Sequence, residues 1–225
     1  MKQAAADEFF ELLKIPQAKR DHEWEKNFAR VLPYGKFSLV YEDAKPGPDG
    51  WPYLFANARA DGTEFGAQLL NWLSTRGIGL AINPELSMPD FVLTYGMTWN
   101  FKERGAIITE DQGARPQTTR LEFKDGDKMY IGQPTEAYLP GYVRKILKQF
   151  LFDQGILAPK IAVIQNGDPA ASPSQTADLA FSLESLGGPT ADEHGGIAEA
   201  IAWFLPAHYS IALVSEKLIT GFAAL

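Results

Sequence analysis

The sequence predicts an α+β protein made of two small mixed αββαβ-type units behind an N-terminal helical extension. Three observations predict it. Apolar residues recur at helical spacing in some windows and alternate in others. The β-rich runs come in pairs around Pro, Gly and Asp clusters, which is hairpin chemistry. The order helix, two strands, helix, strand also reads twice along the 225 residues. Hairpins mixed with helices favour α+β over a doubly wound parallel sheet. The expected divisions are 1–33 for the helical extension, 34–133 for the first α+β unit and 134–225 for the second. The break falls where Gly, Pro and Thr interrupt the pattern at Gly132–Pro140. No residue-level self-similarity joins the two halves.

In the extension, Phe9, Phe10, Leu12 and Leu13 give one apolar helical face that stops at Pro16, and a charged helix carrying Trp24 and Phe28 ends near Pro33. Lys36–Tyr41 and Trp51–Phe55 flank Pro46-Gly47-Pro48-Asp49-Gly50 and read as a hairpin. Asp61-Gly62-Thr63-Glu64 opens a helix with Phe65, Leu69, Trp72 and Leu73 on its apolar side. Ile78–Ile82 is a short strand ended by Asn83-Pro84. Phe91–Phe101 admits two readings. Its alternation fits one long strand, whereas Thr94 as a cap and Lys102 and Arg104 before Gly105 fit a short strand followed by a helix over Tyr95–Arg104. The second is favoured.

Ala106–Thr109 is then a small strand, and Leu121–Phe123 pairs with Met129–Ile131 across Lys124-Asp125-Gly126-Asp127. From Leu139 to Leu151, apolar residues follow the i, i+3, i+4, i+7 pattern throughout, with Arg144, Lys145 and Lys148 on the other side. Lys160–Ile164 and Asp178–Leu183 are strands around a Pro/Ser-rich loop. Thr190-Ala191-Asp192-Glu193 has capping-box spacing and starts a helix running to Leu205, and Tyr209–Val214 is the last core strand.

Composition narrows the function. Apolar residues are 45% and charged residues 22%, a globular mixture rather than a disordered one. The absence of Cys removes disulfides, thiolate metal sites and cysteine nucleophiles. The N-terminus turns acidic where a signal peptide needs an apolar stretch, and no apolar run approaches the ~20 residues that span a bilayer. A soluble, cytoplasmic protein with no membrane partner is expected. A net charge of −7 argues against nucleic acid.

Catalytic signatures are scarce. His22, His194 and His208 have no second His at metal spacing. His194, beside Asp192 and Glu193 and before Gly195-Gly196, is either an oriented imidazole or an exposed ring at a helix start. No Gly-x-Ser-x-Gly elbow occurs, and Ser172, Ser174, Ser182 and Ser185 fall in loops or at strand edges. Gly77-x-Gly79 precedes a strand, the wrong context for a dinucleotide site. Asp125-Gly126-Asp127 lacks the further ligands of a calcium loop. No metal and no cofactor are expected.

Trp72, Tyr95, Trp99 and Phe101 are either core or an exposed anchor patch, since Trp, Tyr and Arg concentrate at binding hot spots. In the second case Arg104 and Asn83 rim it, which makes Trp99, Tyr95, Arg104 and Asn83 the candidate binding residues. The Arg144, Lys145 and Lys148 face is a solvated surface or a dock for an acidic partner.

Met129-Tyr130-Ile131-Gly132-Gln133-Pro134, then Leu139-Pro140 and the amphipathic helix, resembles the entry to the C-terminal domain of SseB-type (serine-sensitivity-enhancing) bacterial proteins. Gly79–Pro84, Phe91-Val92-Leu93 and Thr94 resemble that family's N-terminal strand, Asn-Pro turn, strand and capped helix. The resemblance covers the chain from about Lys36 onward and leaves the first helices unexplained. The aromatic segment Tyr95–Phe101 departs from the family's plainer helix. What it implies is a two-domain α+β protein of a family with no established catalytic activity. The reading that follows is a non-enzymatic protein-binding or regulatory protein. The alternatives are a small-molecule binder or enzyme with a site in a cleft between the halves, and a subunit of a homo-oligomer.

Overall fold

In the computed structural model, which describes residues 2–85, 88–109, 129–166 and 177–225, the chain divides into two compact units, Met1–Gln112 and Gly113–Leu225. Each is a mixed sheet with helices, so the expected α+β class holds. Among the described residues no helix is long and apolar enough to cross a membrane.

The first unit opens with α1 (Lys2–Leu13) and α2 (His22–Val31). The Asp21 carboxylate caps α2 by accepting from the Trp24 N–H at 2.8 Å. These helices are not an appendage. Phe9, Trp24 and Phe28 lie in one apolar cluster with Phe37, Leu54, Leu80 and Phe91 from the sheet. The expected extension at 1–33 is therefore core of the first unit.

Strands β1 (Lys36–Leu39) and β3 (Pro52–Ala58) form the expected antiparallel hairpin, and the two-residue β2 (Lys45–Pro46) folds back onto β3. The next helix starts later than expected. Glu64–Phe65 is a short strand, β4, paired with Lys36–Phe37, and α3 (Gly66–Leu73) begins only after it. Two close approaches explain the shift. A Cβ on Gly62 would sit 2.6 Å from the Phe37 backbone, and one on Gly66 would sit 2.2 Å from the Leu32 carbonyl oxygen. The chain must pass both points without side chains before it can turn helical.

After α3 comes β5 (Gly79–Ile82), parallel to β3, and then β6 (Phe91–Leu93), antiparallel to β5. The sheet order is β4-β1-β3-β5-β6. Tyr95–Arg104 is a helix, α4. Thr94 accepts from the Met97 N–H, and Gly105 closes the helix at φ 70°. The small strand expected at Ala106–Thr109 does not form. The Asn100 amide nitrogen donates to the carbonyls of Ala106 (3.0 Å) and Ile107 (3.3 Å), occupying acceptors a ladder would need.

The second unit repeats the topology. Helix α5 (Gly141–Asp153) buries Val143, Leu147 and Leu151. Strands β8 (Lys160–Asn166) and β9 (Asp178–Ser182) pair antiparallel. Helix α6 (His194–Ala202) then leads to β10 (Ser210–Val214), parallel to β9. In both units, then, a helix precedes an antiparallel strand pair, and a second helix crosses over to a parallel third strand. The Thr190 capping box is present, leading into a 3-10 turn at Ala191–Glu193 rather than directly into α6.

Two assignments change. Met129–Gly132 is strand β7, which pairs with β8, so it belongs to the second sheet rather than to a first unit ending at 133. Leu121–Phe123, its expected hairpin partner, lies outside the described residues, as does Asp125-Gly126-Asp127. The last core strand, expected at Tyr209–Val214, begins at Ser210, and a two-residue edge strand, β11 (Ala223–Ala224), follows it and pairs with Lys160–Ile161.

Candidate functional site

The four residues expected to bind a partner do not form one surface. Tyr95 is 0% exposed and its hydroxyl donates to the Ser74 carbonyl at 2.7 Å, while Trp99 is 2% exposed. Burial raises the Tyr95 phenol above its usual range. Both rings are core, the outcome that bulky apolar residues reach by default. Arg104 is exposed in the last turn of α4, and Asn83 stands at the end of β5. Trp72, 42% exposed, is covered by the Arg76 guanidinium 4.0 Å above its ring.

Asn83 does occupy a notable place. It has φ 52°, a left-handed conformation that Asn tolerates better than most residues. Its carbonyl oxygen accepts from the Ala58 N–H at 2.8 Å, and its amide nitrogen donates to Asp90 Oδ2 at 2.6 Å. Asp90 Oδ1 in turn meets Arg20 at 2.7 Å, with the two side chains 6% and 9% exposed. Arg20 also donates to the carbonyls of Ile15 (2.9 Å) and Leu13 (3.2 Å), and its guanidinium carbon lies 4.4 Å from the Trp24 ring centroid. This chain of bonds ties the end of β3, the β5–β6 connection and the α1–α2 connection together. Beside it, at the carboxyl ends of the parallel strands β3 and β5, lies a hollow of about 710 Å³.

A second hollow, of about 690 Å³, is lined by Arg30, Pro33, Tyr34, Lys36, Phe65 and Phe101 among others. Tyr34 and Phe65 are 43% and 47% exposed. The Lys36 ammonium lies 5.5 Å from the Phe65 ring centroid. Arg30 pairs with Glu8 at 2.5 Å. Among the described residues no Asp or Glu lines this hollow. Sequence reasoning missed it because Phe65 fits a helical apolar face locally. Only the long-range pairing of β4 with β1 turns that ring outward.

Other expected groups are occupied structurally. Arg144 donates to the Leu139 carbonyl at 2.8 Å and the Pro134 carbonyl at 2.5 Å, which ties down the segment before α5. His194 Nε2 stands 3.3 Å from the Pro189 carbonyl oxygen. Ser182 is fully buried, and Ser172 and Ser174 lie outside the described residues. Among the described residues, no group of three or more His, Asp or Glu side chains is placed to hold a metal ion.

The second unit carries a carboxylate cluster at the corresponding end of its own parallel pair. Glu216 accepts from the Ser182 hydroxyl at 2.6 Å and from the Lys160 ammonium at 2.9 Å. Glu184 accepts from the Ser215 hydroxyl and, at 2.8 Å, from the Glu216 N–H. These bonds hold both carboxyls below their ordinary range. The Ser182 hydroxyl and then Lys160 do so for Glu216, and the Ser215 hydroxyl and then the Glu216 N–H for Glu184. A depressed folded-state value means the stabilisation is complete above the unfolded value of 4.5 and disappears as pH falls through the folded one. Thermal melts of wild type and Glu216→Gln, from neutral to about pH 3, are expected to differ at neutral pH and to converge in acid. A constant difference across the series would remove the cluster from the acid response.

Comparison with protein-family models, curated proteins and solved structures finds no match.

Proposed function

We propose that the protein is a non-enzymatic binding protein whose first unit takes an acidic segment of another protein into the hollow between Tyr34 and Phe65. One observation carries this reading: three aromatic rings, Lys36 and the Glu8-paired Arg30 line the hollow with no carboxylate among its described lining residues, in a chain of net charge −7. Exposed large rings leave apolar surface to be covered. Aromatic and Arg side chains are also the groups that concentrate binding energy in small areas. A local positive lining in an acidic protein selects and steers a negatively charged partner, while the rest of the surface repels it. The resemblance to SseB-type proteins, a family with no established catalytic activity, points the same way, as does the expected cytoplasmic location.

The test is selection of linear peptides from a random display library on the immobilised protein, followed by fluorescence anisotropy of the enriched peptide. Enrichment of Asp and Glu around one aromatic or Leu anchor is expected, with affinity that falls as salt rises. Phe65→Ser and Lys36→Glu should each weaken binding about tenfold or more, as loss of a hot-spot anchor or reversal of a steering charge does. Peptides without acidic residues, or affinity indifferent to both substitutions, would overturn the proposal. Both positions lie at the surface, and thermal melts confirm that the variants stay folded.

A further inference from the structure

The hollow at the ends of β3 and β5 shares no lining residue with the aromatic one. We infer that it binds a short zwitterionic peptide, with Arg59 and Lys14 taking the terminal carboxylate and Glu85 the terminal ammonium.

Position is the first argument. In open sheets with helical crossovers, ligands sit in crevices outside the carboxyl ends of the strands. Here β3 and β5 are parallel and joined through α3, and Ala58 and Asn83, at those ends, both line the hollow.

Rigidity is the second. One wall is fixed by the Arg20–Asp90–Asn83 chain described above. Both Asp90 carboxylate oxygens and both polar atoms of the Asn83 amide are engaged within it. Their bonds hold them as the shape of the site. A wall ordered in advance reduces what binding must spend on ordering.

The remaining polar groups have capacity to spare. Arg59 uses only Nε, donating to Asp61 at 3.2 Å, and among the described residues its terminal nitrogens have no partner. Lys14 bonds only Glu11, at 2.6 Å, leaving further donor positions on the ammonium. Glu85 has a single long contact, 3.5 Å from the Asn57 side-chain amide nitrogen, and the Asn57 Oδ1 has no partner among the described residues.

Charge then selects the class. The hollow presents cations at Lys14 and Arg59 and carboxylates at Asp61 and Glu85, besides Asp90, whose charge Arg20 answers from within the wall. A ligand of one sign is attracted by one set and repelled by the other, whereas a ligand with both ends charged satisfies both. Phe10 and Leu13 supply an apolar floor for a side chain, and the Asn57 amide complements a peptide group. The volume of about 710 Å³ is within the range of small-molecule sites and more than a single amino acid fills.

The experiment is a chemical-shift titration of the whole protein with alanyl-alanyl-leucine, its N-acetyl and C-amide forms, and free leucine. The free tripeptide should bind at least about tenfold more tightly than either blocked form, as loss of one charged contact predicts, and than leucine, whose two charges lie too close together to reach both sets of groups. Arg59→Ala should cut the preference over the amide, Arg59→Ala with Lys14→Ala should abolish it, and both should keep the preference over the acetylated form. Glu85→Gln should do the reverse. Phe65→Ser should leave all four affinities unchanged, which separates this site from the aromatic hollow. Equal binding of the blocked peptides, binding of leucine as tight as the tripeptide, or no shift at millimolar tripeptide would each overturn the inference. The blocked ligands carry the test on wild type even if a variant is poorly folded.

Discussion

Asp90→Ala is expected to destabilise the first unit by about 3–5 kcal/mol, because it leaves the Arg20 guanidinium buried without its counter-charge. At 9% and 6% exposure, neither side chain has bulk water to fall back on. The pair is bonded on all sides: Arg20 also holds the Leu13 and Ile15 carbonyls, and Asp90 also holds the Asn83 amide. Removing Asp90 therefore unpairs a cation and releases the anchor of a residue in a left-handed conformation. Urea denaturation followed by Trp fluorescence measures the loss, since Trp24 lies directly under Arg20. The double variant Arg20→Met, Asp90→Leu should recover a good part of the stability, as apolar replacement of buried ion pairs often does. Its recovery stays partial because Met cannot bond the two carbonyls. An Asp90→Ala effect below about 1 kcal/mol, the range of exposed pairs, would mean that water reaches the pair in solution.

That pair also shows where sequence reading stops. Arg20 and Asp90 are 70 residues apart, and neither sits in a pattern that marks it. Features set by neighbours a few residues away were legible. The Thr94 cap with Gly105 decided helix over strand at Tyr95–Arg104, and Thr190 with Glu193 gave a capping box. The stripe from Leu139 to Leu151 gave α5. Features set by distant backbone were not legible. Glu64–Phe65 became a strand because β1 was available to pair with it, which moved Phe65 from an expected core face to the rim of a hollow. Asn83 was visible as a candidate, but as the rim of an aromatic patch. The structure instead places it in a polar wall. Tyr95 and Trp99 fitted a core first and an anchor patch second, and composition carries no information on which face of α4 meets the sheet.

Phe28→Ala should cost the first unit about 3–5 kcal/mol, the usual effect of truncating a fully buried aromatic ring. Phe28 is 0% exposed, and its ring stacks on Trp24 at 4.8 Å and on Phe9 at 5.2 Å, with Phe91 of β6 at 5.1 Å. It therefore joins both N-terminal helices to the sheet. The distinguishing measurement is amide hydrogen exchange in β3 and β5 rather than in the helices themselves. If α1 and α2 were an attached extension, Phe28→Ala would speed exchange in them and leave the strands protected. As core, the ring shares one cooperative unit with Leu54, Leu80 and Ile82, so protection in β3 and β5 should fall along with that of α2. Strand exchange that stays at the wild-type rate would return the helices to the status of an extension. The same result would separate the two hollows from the sheet, since α1 supplies Phe10 and Leu13, with Lys14 just past its end, to one and Gln3 and Ala6 to the other. Docking of α1 on the sheet is thus what creates both hollows, and a substitution that loosens it should weaken both kinds of binding together.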